Sequence, residues 1–373
     1  MKVDKTKWGK STILNCCDIQ LGTRIVKKQT IEGCFPVYGG GGATFTTNTY
    51  NRENAILISR FALSKECTRF VTGKFFLNDS GLTLAPKDKS LLFNFLKWQI
   101  FSLNDKIYDL ARGAAQKNLD MKRFPLLTIL IPPLAEQRAI AAELDAVQKM
   151  IEGYKAQLAD LDALAQSIFL DMFGDPITNP KGWEKEYLSN ICVELSTGPF
   201  GSMLHKTDYQ EDGIPTINPQ DIKSNKIKID NIAKVSQEKA KVLFRYSLKE
   251  NDIILARRGD LSKCAVITSK ENGWLCGTGS FFLRLKNLLP IIFYHQYTTD
   301  SIQKYLNNKS AGATMPNLNQ GILSQLLIAI PPLPLQQQFA ERVEAIERQK
   351  ELLQAQLDEA QTLMAERMQY YFD

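Results

Sequence analysis

The chain is written twice. Ile131-Pro132-Pro133-Leu134 returns as Ile330-Pro331-Pro332-Leu333, 199 residues on. At the same shift Gln137, Ala141, Glu152, Ala156, Gln157, Leu158, Leu164 and Phe173 meet their own types at Gln336, Ala340, Glu351, Ala355, Gln356, Leu357, Leu363 and Phe372. Just upstream, Gly113-Ala114-Ala115-Gln116-Lys117-Asn118-Leu119 corresponds without a gap to Gly312-Ala313-Thr314-Met315-Pro316-Asn317-Leu318. Farther back the match slips. Ile56-Leu57-Ile58-Ser59-Arg60 is like Ile253-Ile254-Leu255-Ala256-Arg257 at a shift of 197, and Trp8 is like Trp183 at 175. Each half has a variable front and a constant back, the pattern of two readers on a shared frame. The expected divisions are 1–131, 132–176, 177–330 and 331–373.

The backs read as helices. In the first, Ile140, Leu144, Val147, Ile151, Tyr154, Leu158, Leu161, Ala165, Ile168 and Met172 step by alternating fours and threes, an unbroken heptad seam. The second repeats those steps at Phe339, Val343, Ile346, Lys350, Leu353, Leu357, Ala360, Met364, Arg367 and Tyr371. Each follows a Pro-Pro pair, and Gly174-Asp175-Pro176 stops the first. Residues 135–173 would span about 58 Å at the helical rise. Two matched seams in one chain are expected to pack on each other. Under a pseudo-twofold axis they run antiparallel, with the two fronts at opposite ends. Lys350 and Arg367 interrupt the second seam. They can fix register, snorkel to solvent or face a partner, and the last two are favoured.

The fronts carry strand-like runs at 55–59, 74–77, 252–256 and 280–285, with helical stretches at 91–103 and 291–306. The expected fold class is α/β (mixed α+β): two globular domains joined by two long helices in an antiparallel coiled coil. Charge follows the same division. Residues 1–131 hold 20 basic to 10 acidic side chains and 176–330 hold 19 to 14, whereas 132–175 hold 3 to 8 and 331–373 hold 4 to 8. Basic fronts alternating with acidic backs point to polyanion-facing domains on a different kind of frame. Residues 1–20 have no apolar core of a secretory signal, and the longest apolar stretch, 126–134, is too short for a bilayer. No membrane partner and a cytoplasmic location are therefore expected. Seven cysteines without a CxxC pair, and only His205 and His295, leave no zinc site of usual spacing. Buried, reduced thiols are the expected state.

Ile-Pro-Pro-Leu-x-x-Gln opening a heptad helix, preceded by Gly-x-x-x-x-Asn-Leu and present twice, resembles the specificity subunits of type I restriction–modification systems. The resemblance covers essentially the whole chain. It implies two target recognition domains, each reading half of a split DNA site, and a helical pair that docks two modification subunits. Those partners would bring S-adenosylmethionine and methylate adenine; motor–nuclease restriction subunits, with ATP and Mg, would cut unmodified DNA. One departure stands out: Ala135-Glu136-Gln137-Arg138 becomes Pro334-Leu335-Gln336-Gln337. Any partner contact by that Glu has no counterpart in the second copy.

Candidate double-stranded-DNA contacts are basic and amide side chains on loops, beside glycines that let backbone approach. In the first front these are Arg24, Lys27 and Lys28, then Tyr38 and Gly40 within a four-glycine loop, Arg60, Lys74, and the run Arg112, Gln116, Lys117 and Asn118. The glycine amides can reach a phosphate, or the segment is a plain turn. It lacks the Gly-Lys-Ser/Thr ending of a nucleotide loop. In the second front they are Ser202, Lys206, Arg257, Arg258, Lys263, Thr314 and Asn317. Arg257 and Arg258 beside Gly259 can fork onto guanine, worth about 1–3 kcal/mol, or serve as surface arginines paired with Asp260. His205 reads as a surface histidine.

No catalytic residue, cofactor loop or metal site is expected in the chain itself. Asn218-Pro219-Gln220 is not an adenine-methylase Asn/Asp-Pro-Pro-aromatic signature, and Gly277-Thr278-Gly279 does not open a helix. The competing reading is a coiled-coil interaction scaffold whose basic ends grip nucleic acid. A split target would be limited by the helix length to a centre spacing of about 17 base pairs.

Overall fold

The structure is a computed structural model and describes residues 3–113, 116–310 and 317–373. Two compact units emerge. One takes the chain to Ala156 with Gln354–Asp373, the other Gln157–Leu353. Each unit therefore owns one front and half of each long helix. The cause is burial: the helix seams belong to the same apolar cores as the fronts.

In the first unit, strands order as Cys17–Leu21, Gly81–Pro86, Arg52–Ser59, Thr68–Leu77, Phe35–Gly39 and Gly42–Thr47. All pairings are antiparallel except Val37–Tyr38 against Phe76–Leu77. The second unit repeats this plan although its sequence has drifted. Cys192–Thr197, Ser280–Leu285, Ile253–Ala256 and Cys264–Val266 form one sheet, and Thr216–Ile217 runs parallel to Leu275–Cys276 in another. The strand that is continuous over Thr68–Leu77 is here broken into two pieces. Ile253–Ala256 and Arg52–Ser59 lie between neighbours on both sides. Both faces are also buried, with Ile56 and Ile58 in one core and Ala55 and Leu57 in another, and Ile253 and Leu255 in one and Ile254 in another. That is why 55–58 and 253–256 read as continuous apolar runs.

Each front closes with a short antiparallel pair, Gly9–Thr12 with Thr128–Ile131 and Glu184–Tyr187 with Leu327–Ile330, and the chain then enters a long helix. These helices cover Leu134–Phe173 and Leu333–Phe372. Pro334 sits in the first turn of the second, where its missing N–H has no helical partner to lose. Gly174, at φ +77°, terminates the first, its amide bonded to the Leu170 carbonyl at 2.8 Å.

The repeated motif has a mechanical meaning. Gln137 is fully buried; its Oε1 accepts the Leu92 amide at 2.7 Å and its Nε2 donates to the Ser90 and Pro132 carbonyls. Gln336 does the same for the Leu289 amide at 2.8 Å and the Pro331 carbonyl. Leu92 and Leu289 cap the helices Phe93–Ser102 and Pro290–Tyr297, neither with a capping side chain of its own. The motif glutamine instead accepts the cap residue's own amide, the other half of a capping-box arrangement. The expected helix over 291–306 is in fact two, Pro290–Tyr297 and Asp300–Lys309, because Thr299 caps the second with its own side chain. Glu136 accepts the Trp8 indole N–H at 2.8 Å. The second copy has Leu335 there, and Trp183 donates to the Phe173 carbonyl at 2.9 Å instead. The acidic residue is thus used inside the protein.

Within the first unit the start of one long helix meets the end of the other. Ile140, Leu144 and Tyr371 share a core with Trp8, Phe95 and Phe124, and Glu143 accepts the Tyr371 hydroxyl at 2.6 Å. Within the second unit the order is reversed, with Asp162 against Lys350 and Phe169 against Phe339. The pairing is antiparallel. Val147, Ile151, Val343, Ile346, Leu353 and Leu357 are buried along it, while Leu158, Leu161 and Met364 are half-buried. At its end the seam is widened: Phe169 and Phe173 are buried in the core, while the expected Ile168 and Met172 pack against it half-buried. A straight helix drifts off a strict seven-residue repeat, and here the drift turns the phenyl rings into the front. There Phe169 stacks on His295, which burial holds down to about 4.

Lys350 and Arg367 are corrected too. Lys350, 8% exposed, reaches Asp162 and Glu347 at 2.6 Å, and Arg367 reaches Glu143 at 3.0 Å. Neither snorkels away; both bind the facing helix and fix register. All seven cysteines are free, five buried as expected, with Cys34 exposed and Cys192 half-buried. No helix among the described residues is long and apolar enough to cross a membrane.

Gln137→Ala and Gln336→Ala should each lose about 1–3 kcal/mol, read from urea unfolding, because each strands a buried amide. Lys350→Met should shift stability by under about 1 kcal/mol. Asp162→Asn with Glu347→Gln, which leaves the buried ammonium uncompensated, should lose about 3 kcal/mol in the same assay.

Candidate nucleic-acid interface

A central strand in each unit ends in an arginine held by the same two backbone bonds. Arg60 donates its amide to the Ser80 carbonyl and accepts the Leu119 amide, both at 2.8 Å. Arg257 donates to Gly279 and accepts from Leu318, again both at 2.8 Å. The Asn-Leu of the repeated motif is thus what closes the loop onto the strand end. A side chain on a rigid, buried strand is aimed more firmly than one on a loop. In both arginines Nε is buried and has no hydrogen-bond partner among the described residues. Buried guanidinium N–H groups are ordinarily satisfied, so the same unmet donor at one seat in two domains calls for a physical reason.

Around Arg60 the structure gathers several of the expected residues. Arg112 pairs with Asn118 in a short hairpin, Asn118 Oδ1 faces the Ala62 amide at 3.4 Å, and the Lys117 carbonyl accepts the Leu63 amide. Arg112 is exposed and bridges to Asp120 at 2.5 Å, while the Lys117 amine lies over the Tyr108 ring and bonds its hydroxyl at 2.9 Å. Gln116 is exposed on the same turn. The Arg60 guanidinium lies 4.9 Å from the Phe61 ring centroid, and Nη1 donates to the Asp79 carbonyl at 3.0 Å. Around Arg257, Arg258 is exposed and its backbone pairs antiparallel with that of Asn317. Thr314 lies outside the described residues.

The other expected residues are engaged within the fold or lie exposed on separate segments. The four-glycine segment is a β-hairpin turn: Gly40 is buried, its amide bonded to Ser80 Oγ at 2.9 Å and its carbonyl accepting from Ser59 and Arg69. Gly40 therefore has no amide left for a phosphate. A Cβ at Gly40 would come within 2.8 Å of the Phe61 carbonyl, which explains the glycine. Tyr38 packs edge-on against Phe75, 5.3 Å between centroids, in a small core. Lys74 faces Glu53 while Thr68 faces Ile58, so it sits at the far end of the strand from Arg60, about 20 Å away at the strand rise, over the Tyr50 ring. Arg24, Lys27 and Lys28 are exposed on the separate segment before Phe35. Lys263 gives its amine to the Pro219 carbonyl at 2.9 Å. Asp260 bonds Ser262 rather than an arginine. Ser202 and Lys206 are exposed on short turns, and His205 is exposed, its amide capped by Asp208. Sequence reasoning missed Phe61, Asp79, Ser80 and Gly279, because 78–81 and 277–280 share no residue pattern and only the fold superposes them.

The second cradle is built by close backbone approach. Gly198 lies so near the Gly277 carbonyl that a Cβ would stand 2.0 Å from its oxygen. Among the described residues no group of His, Cys, Asp and Glu could hold a metal ion.

A family model described as the type I restriction modification DNA specificity domain matches residues 5–162 and again 180–362. The chain belongs to this family. The two matched segments fall on the two copies of the repeat. Similar relatives include the type I restriction enzyme StySPI specificity subunit of Salmonella potsdam, 25% identical over 276 residues, covering 69% of this chain and 58% of that one. The EcoBI specificity subunit of Escherichia coli is 21% identical over 270 residues, 65% and 56% of the two chains. The chain thus spans less than three-fifths of these relatives' length. Among solved structures, the type I restriction–modification S subunit from M. genitalium matches with a TM-score of 0.57 at 19% identity, over 99% of this chain and 97% of that one. A chain from a study of complex assembly and conformational transition of the type I R-M system matches at 0.52 and 15% identity, over 98% and 97%. Both likenesses establish the family's fold.

Gly198→Ala should lower stability by more than about 1 kcal/mol in urea unfolding. Gly41→Ala, where a Cβ meets nothing within 4 Å, should change it by less than about 0.5 kcal/mol.

Proposed function

We propose that this chain is the DNA specificity subunit of a type I restriction–modification complex. It would recognise a bipartite, asymmetric double-stranded site and direct adenine-N6 methylation or restriction by partner subunits. The observation that carries this reading is one strand-end arginine seat built twice in a family member, with different loops around each copy. A duplicated seat with unlike surroundings is what two unlike half-sites require. Two modification subunits would supply S-adenosylmethionine, and motor–nuclease subunits ATP and Mg. The chain itself would position rather than react, since its conspicuous polar groups are spent on caps, strand ends and helix register.

The test is selection of bound duplexes from a randomised 40-base-pair pool by the full chain, alone and with its modification subunits. Two short unlike blocks at a fixed spacing are the expected result. Recovery without any shared block, with binding that fades steeply in salt, would leave only a nonspecific basic scaffold.

A further inference from the structure

We infer that Arg60 and Arg257 are a matched pair of phosphate clamps, one for each half of the DNA site, and that base choice belongs to their unlike neighbours. This rests on the DNA-reading function above. The two arginines share a residue type, a strand end, both backbone bonds and the unpartnered Nε. Apart from the shared Asn-Leu, their surroundings differ. Phe61 follows one and Arg258 the other; Ser80 holds one amide and Gly279 the other.

A feature common to two readers of different sequences cannot carry the difference between them. It serves what the half-sites have in common, which is the phosphodiester backbone. The posture of Arg60 agrees. A fork onto guanine needs two outward N–H groups on one edge of the guanidinium. Here one of the two Nη1 N–H groups is given to the Asp79 carbonyl and Nε is buried, so the Nε edge cannot fork onto guanine, whereas a charge-assisted bond to a phosphate oxygen needs a single free N–H. Arg258, exposed where its backbone pairs with Asn317, is by contrast matched by a phenylalanine in the other half. It belongs with the readers.

The experiment uses the full chain and the duplex it selects from the randomised pool, with affinity measured across a salt series. Arg60→Met and Arg257→Met should each reduce the slope of log affinity against log salt by about 0.9, one phosphate contact. They should weaken every duplex alike and leave the preferred bases unchanged. Arg60→Lys and Arg257→Lys should restore the slope, and they keep the test decisive should a methionine variant unfold. Arg258→Met should relax base preference in one half only. A changed preference at one half-site with an unchanged slope for Arg60→Met or Arg257→Met would overturn the clamp, as would variants that bind like the parent. A parent chain that selects no motif would fail earlier, overturning the DNA-reading function and the clamps with it.

Discussion

Everything in this protein depends on removing two apolar helix faces from water at once. A forty-residue helix with a continuous seam is not stable as a solvated rod; most of its stability comes from tertiary packing. Here Ile140, Leu144, Val147 and Ile151 on one helix, and Phe339, Val343, Ile346 and Leu357 on the other, are buried along the antiparallel pair. Burying each such side chain is worth about 1.5–3 kcal/mol. Because the same seams enter the cores of the fronts, a helix half and a front form one unit. Lys350 with Asp162 and Glu347, and Arg367 with Glu143, add the directional element that apolar packing lacks.

The constant part of the repeat is constant for mechanical reasons. The motif glutamine caps a neighbouring helix, the Pro-Pro pair turns the chain from a closing strand into the long helix, and Asn-Leu pins the arginine loop. Each is a local fixture joining front to helix. Where one fixture is lost, another replaces it: Trp8 bonds Glu136, and Trp183, lacking that acid, bonds a backbone carbonyl. Loops that bear no such duty have drifted apart.

The site follows the same economy. Basic residues that looked equivalent in sequence separate into two classes once their amines are traced. Lys263 and Lys74 are committed to a carbonyl or a ring, while Arg112, Arg258 and Asn317 stand exposed beside the arginine seats. The glycines likewise divide. Gly40 and Gly198 are required by close backbone approach, and neither offers a free anion cradle.

Periodicity and repetition are local and additive, so the chain alone determined the duplication, the two long helices, the central strands and the Arg60–Arg257 correspondence. A seam of alternating fours and threes reads the same whether or not its partner is known. Tertiary structure decided the rest. Whether Lys350 meets solvent or a carboxylate, whether a glycine amide is free or bonded to Ser80, and how deeply Phe169 enters the core depend on residues far away in the chain or on the neighbouring strand. Those outcomes are set by which polar groups must be satisfied on burial, and no single segment carries that information.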